Sequence, residues 1–184
     1  MRAIVQRVSN ASVTVDNEVV SKIAHGLMVL VGIGSGPHAY LTTLLRLTLR
    51  VFSDPANPQN MWKANVKDID GDILCVSQFT LLANTSKGNK PDFHNAMASE
   101  PSRQLYSRFL EVLRNSYQAE KIQDGVFGAM MSINLTNEGP VTFTLDTRKF
   151  EYVDAPNSDK KVGKKGGKVD IRPASKGEEG LTPS

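Results

Sequence analysis

Apolar and polar residues follow strand-like patterns at both ends of residues 1–156. Some segments alternate between apolar and polar positions, which is typical of strands with one buried face. Others are apolar almost throughout, which is typical of buried central strands. Asp16-Asn17 separates two alternating segments and predicts a tight hairpin turn. The predicted strands are residues 3–8, 11–15, 18–23, 26–33, 72–79, 129–136 and 141–147.

Two other segments repeat apolar residues at helical spacing. Leucines at positions 41, 44, 45 and 49 form a stripe along residues 38–52. Ser99-Glu100-Pro101 supplies a capping serine, an acid for the first turn and an early proline, and therefore predicts the start of a second helix. The apolar face of this helix would consist of Leu105, Phe109, Leu113 and Tyr117. The order of elements predicts an α+β fold, in which two helices cover a mixed, mainly antiparallel, barrel-like sheet.

The last part of the chain differs in composition from the rest. The chain has 184 residues and a formal net charge of +3. Residues 157–184 contain seven Lys or Arg against four Asp or Glu, so they account for the whole net charge and residues 1–156 are neutral. Because this segment has no aromatic residue and little apolar content, we predict a folded domain over 1–156 and a disordered basic tail. The tail could hold RNA phosphates, act as a localisation signal or be a solvated extension.

Several kinds of chemistry are disfavoured by the residues present. The single cysteine, Cys75, cannot form an internal disulfide and lies in an apolar run, which favours a buried thiol. His25, His38 and His94 lie far apart in the chain, so no Cys/His set has the spacing of a zinc site. The polar first residues and the lack of a long apolar run favour a soluble, cytoplasmic protein with no membrane partner.

Two short patterns resemble binding loops but lack essential parts. The glycine-rich residues 32–36 have neither the Lys-Ser/Thr of a P-loop nor the full GxGxxG spacing, and we interpret them as a turn. Asp68, Asp70 and Asp72 resemble the start of a calcium loop, but the twelfth position is Phe79 instead of a ligand-bearing Glu. A solvated hairpin is the better interpretation of the three acids.

Five segments of the chain carry more specific patterns. Residues 77–81 (SQFTL) and 137–142 (NEGPVT) resemble a pair of signature motifs. Residues 2–8 (RAIVQRV), 87–94 (KGNKPDFH) and 124–129 (DGVFGA) are similar to segments of the same family. Together and in this order, the five segments resemble the D-aminoacyl-tRNA deacylases. The resemblance covers nearly all of the predicted folded domain, and the basic tail lies outside it.

The resemblance implies a homodimeric hydrolase, without metal or other cofactor, that acts on aminoacyl-tRNA. Such an enzyme cleaves the ester between a D-amino acid, or mischarged glycine, and the 3′-terminal ribose of the tRNA. In the family, the peptide that corresponds to Gly139-Pro140 is cis, and its two carbonyls enter the partner subunit's pocket and accept from the ligand's α-amino group. An L side chain would then have no room, whereas glycine would be accepted. Glu138 stands where Asp is usual in the family.

The first motif implies the catalytic residues, which are Ser77, Gln78, Phe79 and Thr80. In the family, Phe79 and the backbone of residues 78–80 surround the scissile ester, and amides there can stabilise an oxyanion. Thr80 could be a nucleophile, but nothing local would activate its hydroxyl. The resemblance favours assistance by the 2′-hydroxyl of the terminal adenosine. Met131 matches a pocket position in the family, and ordinary core packing is an equal interpretation of it.

RNA binding and two alternative functions complete the predictions. Lys87, Lys90 and Phe93 could contact phosphates and a terminal base by charge and stacking, although lysines of a flexible loop are as often only solvated. A different class of function is a non-catalytic nucleic-acid-binding protein that acts through its basic tail. A closer alternative is a paralogous deacylase that clears an L-amino acid with a trans Gly-Pro peptide. That branch has Pro-Gln-Ala-Thr where this chain has residues 77–80, which disfavours it.

Overall fold

The computed structural model of the protein describes residues 1–35, 47–86 and 88–147. Within these ranges the chain forms β-strands, one α-helix and two short 3-10 turns. The strands are β1 (Arg2–Val15), β2 (Glu18–Ile23), β3 (Gly26–Gly32), β4 (Asp72–Ser77), β5 (Ile122–Asp124) and β6 (Ser132–Asp146). The helix is α1 (Ser99–Ser116), and the 3-10 turns are Phe79–Leu82 and Ala119–Lys121.

β1 is the strand on which the sheet is built, because it pairs along both of its edges. One edge pairs antiparallel with β3 through residues 2–8 and with β2 through residues 11–15. The other edge pairs antiparallel with β6 along almost the whole strand. β3 then pairs parallel with β4, and β4 pairs parallel with β5. The predicted α+β fold is confirmed in its mixed sheet, which curves into a nearly closed barrel.

Several strand boundaries differ from the prediction. The two predicted strands within residues 3–15 form one continuous β1, and β6 likewise continues through the predicted loop at residues 137–140. Asp16 and Asn17 make the predicted turn between β1 and β2, with φ angles of 50° and 66°. β4 ends at Ser77 because the chain turns there into a 3-10 helix. β5 was not predicted, since three residues are too few to show a period.

α1 begins at Ser99, where a helix was predicted, but the cap differs. The N-cap residue is Ala98, and no side chain caps the helix, so the capping role predicted for Ser99 is wrong. The buried face consists of Tyr106, Phe109, Leu110 and Leu113. Two of these residues belong to the predicted face, and Leu105 is only partly buried. No helix in the described ranges is long and apolar enough to cross a membrane.

Two other predictions fall wholly or partly outside the described residues. The predicted helix over 38–52 lies largely on residues 36–46, which are outside these ranges. Its last residues, 49–52, are not helical, because Phe52 pairs with Ala64 in an isolated β-bridge. The predicted disordered tail, residues 157–184, also lies outside the described residues.

β4 is buried on both faces, as its continuous apolar run predicted. Ile73 and Cys75 belong to a core cluster that also contains Phe109 of α1. Leu74 and Val76 belong to a second cluster on the opposite face, because successive side chains of a strand point to opposite sides. The Cys75 thiol is fully buried, as predicted, and this burial raises its pKa.

Asp68 and Asp70 precede β4, and Asp72 is its first residue. These acids accept hydrogen bonds from backbone amides or form ion pairs. Asp68 accepts a hydrogen bond from the backbone amide of Asn65 at 2.9 Å, and Asp72 accepts one from a backbone amide of the β2–β3 loop at 3.1 Å. Asp70 Oδ2 lies 3.1 Å from Lys121 Nζ. The Lys121 side chain donates to Asp70 and lowers the pKa of that carboxyl, and the same hydrogen bond raises the pKa of Lys121.

We expect Asp70→Asn to unfold at a lower temperature than the wild type at neutral pH, because the substitution removes the ion pair with Lys121. This stabilisation is complete above the unfolded-state pKa of Asp, about 3.9, and is lost as the pH falls through the lower folded-state pKa. Thermal unfolding at about pH 7, 4 and 2 should therefore show a difference that disappears at the lowest pH. Glu120→Gln, at an exposed acid of the neighbouring 3-10 turn, is the control. A difference that persists in acid would contradict this account.

Candidate active site

The C-terminal ends of β3 and β4, the start of α1 and the segment before β6 enclose a cavity of about 530 Å³. Ser77, Gln78 and Phe79 of the first motif line it, and Met131 lines it from the other side. The structure therefore brings these four predicted residues together, although Met131 is remote from the other three in the chain. None of the described residues that line the cavity carries an ionisable side chain.

Hydrogen bonds at the end of the β3–β4 ladder determine where the turn after β4 lies. Val31 pairs with Ser77, and the Gln78 amide donates to the Val31 carbonyl at 2.8 Å. The chain then enters the 3-10 turn, and the Leu81 amide donates back to the Gln78 carbonyl at 3.4 Å. The Gln78 amide is therefore engaged within the protein. The Phe79 and Thr80 amides begin the 3-10 turn, where the first N–H groups lack partners within the helix, so they remain the candidate oxyanion donors.

Gly32 lets this turn lie close to β3. A Cβ atom at Gly32 would lie 2.4 Å from Leu82 Cδ2 and 2.9 Å from the Gln78 carbonyl oxygen. Both distances are shorter than real Cβ contacts, so a side chain here would displace the turn. The glycine that the sequence marked as part of a turn thus makes room for the first motif.

The Thr80 hydroxyl is oriented by an amide. Gln78 Nε2 donates a hydrogen bond to Thr80 Oγ1. An amide cannot take the hydroxyl proton, so this contact holds the Thr80 side chain without activating it as a nucleophile. Thr80 is exposed and follows the residues that line the cavity, but it does not line the cavity itself.

An aromatic pair links the first motif to the predicted RNA-binding loop. The rings of Phe79 and Phe93 meet edge to face, with centroids 5.1 Å apart. Phe79 is 56% exposed and Phe93 is 37% exposed, so both present ring surface to solvent. Lys90 and Phe93 line a shallow depression of about 510 Å³. Lys87, the third residue predicted for RNA binding, lies outside the described residues.

Met131 takes part in both of its predicted environments. It packs against the core cluster of Leu74 and Val76 and also lines the cavity. Gly125 makes room for it, since a Cβ atom there would lie 2.7 Å from Met131 Sδ.

Residues that the sequence analysis did not single out complete the cavity. Phe127 and Ser102 line it, and the guanidinium of Arg103 lies over the Phe127 ring, 4.8 Å from its centroid. Residue 127 belongs to the 124–129 segment, which was noted only as a family pattern. Ser99 and Ser102 are three residues apart in the first turn of α1, and both line the cavity. Because residues at this spacing are neighbours on a helix surface, the sequence could have identified the two serines as a pair.

Gly139 and Pro140 lie elsewhere in the structure and do not line this cavity. Their peptide bond is cis, both residues are exposed, and Gly139 has a φ angle of +116°. A Cβ atom at Gly139 would lie 2.8 Å from Val141 Cγ2 and 3.1 Å from Arg7 Nη2. The backbone conformation and the close contacts both favour glycine here.

The geometry shows no metal-binding group among residues 1–35, 47–86 and 88–147, where no three His, Cys, Asp or Glu side chains could hold an ion. The cavity offers amides, hydroxyls and apolar surface. Such a lining can bind and orient a ligand and stabilise a developing negative charge, but it holds no group that titrates near neutral pH.

Comparisons with known proteins agree with the motifs. A model of the D-Tyr-tRNA(Tyr) deacylase family matches residues 4–146. The chain is 51% identical to a D-aminoacyl-tRNA deacylase of Saccharomyces cerevisiae and 52% identical to one of Kluyveromyces lactis. Each of these alignments covers 80% of this chain and 99% of the relative. A solved structure described as a c-Myc DNA Unwinding Element Binding Protein matches with a TM-score of 0.75 and 47% identity, over 80% of this chain and 99% of that one.

The matched region includes both signature motifs and all or most of each strand of the described sheet. The relatives match almost over their full length, so the similarity concerns whole proteins rather than one shared element. The chain therefore belongs to the D-Tyr-tRNA(Tyr) deacylase family and is, as predicted, a D-aminoacyl-tRNA deacylase.

Proposed function

We propose that the protein is a homodimeric hydrolase that removes D-amino acids, and glycine mischarged onto a non-cognate tRNA, from the 3′ end of tRNA in the cytoplasm. One observation carries the proposal. Ser77, Gln78, Phe79 and Met131 form one cavity, whereas Gly139 and Pro140 are exposed on another part of the same subunit. In a symmetric dimer, the Gly139-Pro140 segment of one copy can complete the cavity of the other.

The chemistry is ester hydrolysis assisted by the substrate. The water oxygen forms a bond to the ester carbonyl carbon, and the bond between that carbon and the ribose 3′ oxygen breaks. The ribose 3′ oxygen takes up the proton that the water loses. The amide of Phe79, which lines the cavity, stabilises the negative charge on the carbonyl oxygen. The 2′-hydroxyl of the terminal adenosine assists the proton transfer, which agrees with a cavity whose described lining contains no acid or base. Rate enhancement then comes from positioning the substrate.

Chiral selection comes from the partner subunit. The carbonyls of Gly139 and Pro140 accept from the α-amino group of the D-aminoacyl ligand and occupy the space that an L side chain would need. Glycine, which has no side chain, is accepted. Selection by exclusion suits a rigid backbone, and the crowding around Gly139 supports such rigidity.

The tRNA is held by contacts outside the cavity. The Phe79–Phe93 pair offers exposed aromatic surface on which a terminal base can stack. Lys90 lies beside Phe93 and can reach phosphates of the acceptor end. By sequence resemblance, Lys87 is a second candidate for such a contact.

The first test is deacylation of D-tyrosyl-tRNA and L-tyrosyl-tRNA by the purified protein in the presence of a chelator. We expect release of the D-amino acid only, because the partner's carbonyls exclude the L form and the reaction uses no metal. Hydrolysis of both forms would show that Gly139 and Pro140 do not select. Loss of activity on chelation would contradict the metal-free reaction.

A heterodimer tests whether the site spans two subunits. Phe79→Ala damages the cavity, and Gly139→Ala displaces the segment that completes it, so each homodimer should lose activity on D-tyrosyl-tRNA by about tenfold or more. A purified heterodimer of the two variants combines one intact cavity with one intact partner segment. It should recover about half of the wild-type activity, since one of its two sites is complete. An inactive heterodimer, or a wild-type protein that is monomeric, would contradict the composite site.

A second candidate function is non-catalytic nucleic-acid binding through the basic tail. It is favoured by the similarity to a structure described as a DNA-unwinding-element binding protein and by the basic residues of 157–184. Removal of residues 157–184 separates the two functions. We expect the truncated protein to keep its deacylase activity and its affinity for tRNA. A large loss of nucleic-acid affinity with no measurable deacylation by the full chain would favour the binding function instead.

A further inference from the structure

Residues 138–141 form a bulge in β6, and this bulge carries Gly139 and Pro140. Asn137 pairs with Val8 of β1 and Thr142 pairs with Gln6, so the four residues between them stand opposite Arg7 alone. A bulge of this kind leaves its residues outside the backbone ladder. The position of its exposed part therefore depends on side-chain contacts.

The side chain of Asn137 connects the two ends of the bulge by hydrogen bonds. Asn137 Nδ2 donates to the Val141 carbonyl at 3.1 Å and to the Arg7 carbonyl at 3.3 Å. Val141 is buried, which fixes the return of the chain into β6. These contacts hold the base of the bulge but not its exposed part.

The exposed part is attached to the body of the protein through Glu138. Its Oε2 atom lies 2.9 Å from His25 Nε2 and 3.7 Å from Arg7 Nε. The Arg7 side chain is mostly buried, and its Nη1 atom donates to the Val51 carbonyl at 2.7 Å. Arg7 Nε has no partner within hydrogen-bond distance, so His25 makes the close contact and Arg7 contributes its charge from a longer distance.

His25 is itself held in place. It lies in the loop between β2 and β3, and its carbonyl accepts a hydrogen bond from the Asp72 amide at 3.1 Å. Its ring meets the ring of Phe52 edge to face, with centroids 5.1 Å apart, and Phe52 is buried in the core. The imidazole is therefore anchored at both backbone and ring, and it can act as a support for Glu138.

We infer that His25 is a positioning residue for chiral selection, and this inference rests on the proposed function. By donating from Nε2 to Glu138, His25 sets how far Gly139 and Pro140 project toward the partner's cavity. A half-exposed pair of this kind contributes little to global stability. A small displacement of groups that must meet a ligand has a much larger effect on its binding and reaction.

Three variants test the inference by the ratio of kcat/KM for D-tyrosyl-tRNA to that for L-tyrosyl-tRNA. His25→Leu keeps apolar contact with Phe52 but removes the donor, and Glu138→Ala removes the acceptor. We expect each to lower the ratio by about three- to tenfold, with a melting temperature within about 3 °C of the wild type. His25→Gln, whose side-chain amide can donate to Glu138, should recover most of the ratio.

Glu111→Gln is the matched control, because it breaks the exposed Arg108–Glu111 pair, whose atoms are 2.6 Å apart, on the surface of α1. It should leave the ratio unchanged. The inference is overturned if His25→Leu and Glu138→Ala keep the wild-type ratio, or if His25→Gln is as defective as His25→Leu. A wild-type protein that hydrolyses neither substrate would instead overturn the proposed function, so the two failures are distinguishable.

Discussion

The pairing of β1 along both edges is the constraint on which both halves of the proposed composite site depend. One edge holds β3, whose end receives the Gln78 amide and so positions the first motif. The other edge holds β6, which opens into the bulge opposite Arg7. The cavity and the base of the bulge are thus held at a set separation by backbone hydrogen bonds. Only the exposed part of the bulge, which lies outside the ladder, is positioned by side-chain contacts.

In the proposed reaction, this fold positions the substrate and does not supply reactive side chains. The described cavity lining is neutral, and the Thr80 hydroxyl is held by the Gln78 amide. Glycine at position 32 brings the turn close to β3, and glycine at position 125 makes room for Met131. In each case the absence of a side chain sets a geometry that a larger residue would disturb. A reaction that draws its proton transfer from the substrate requires this kind of pocket.

The sequence predicted the strands with long apolar or alternating runs, and it identified the site only through the resemblance of short motifs. Periodicity cannot show the Phe79–Phe93 contact, because the loop between these rings has no period, nor the Glu138–His25 pair, whose members are far apart in the chain. β5 was not predicted from the sequence, because its three residues show no apolar pattern and it is a strand only through its parallel pairing with β4. The cap of α1 was mistaken because a serine at a helix start also occurs as the first helical residue.

The burial of Cys75 on β4, between β3 and β5, has a practical consequence. It is the only cysteine of the chain, and its neighbours on β4 are buried on both faces. A thiol with a raised pKa and no access to solvent does not react with alkylating reagents while the sheet is closed. The rate at which this one sulfur is labelled therefore reports how often the barrel opens. That rate can be measured in the otherwise unaltered protein.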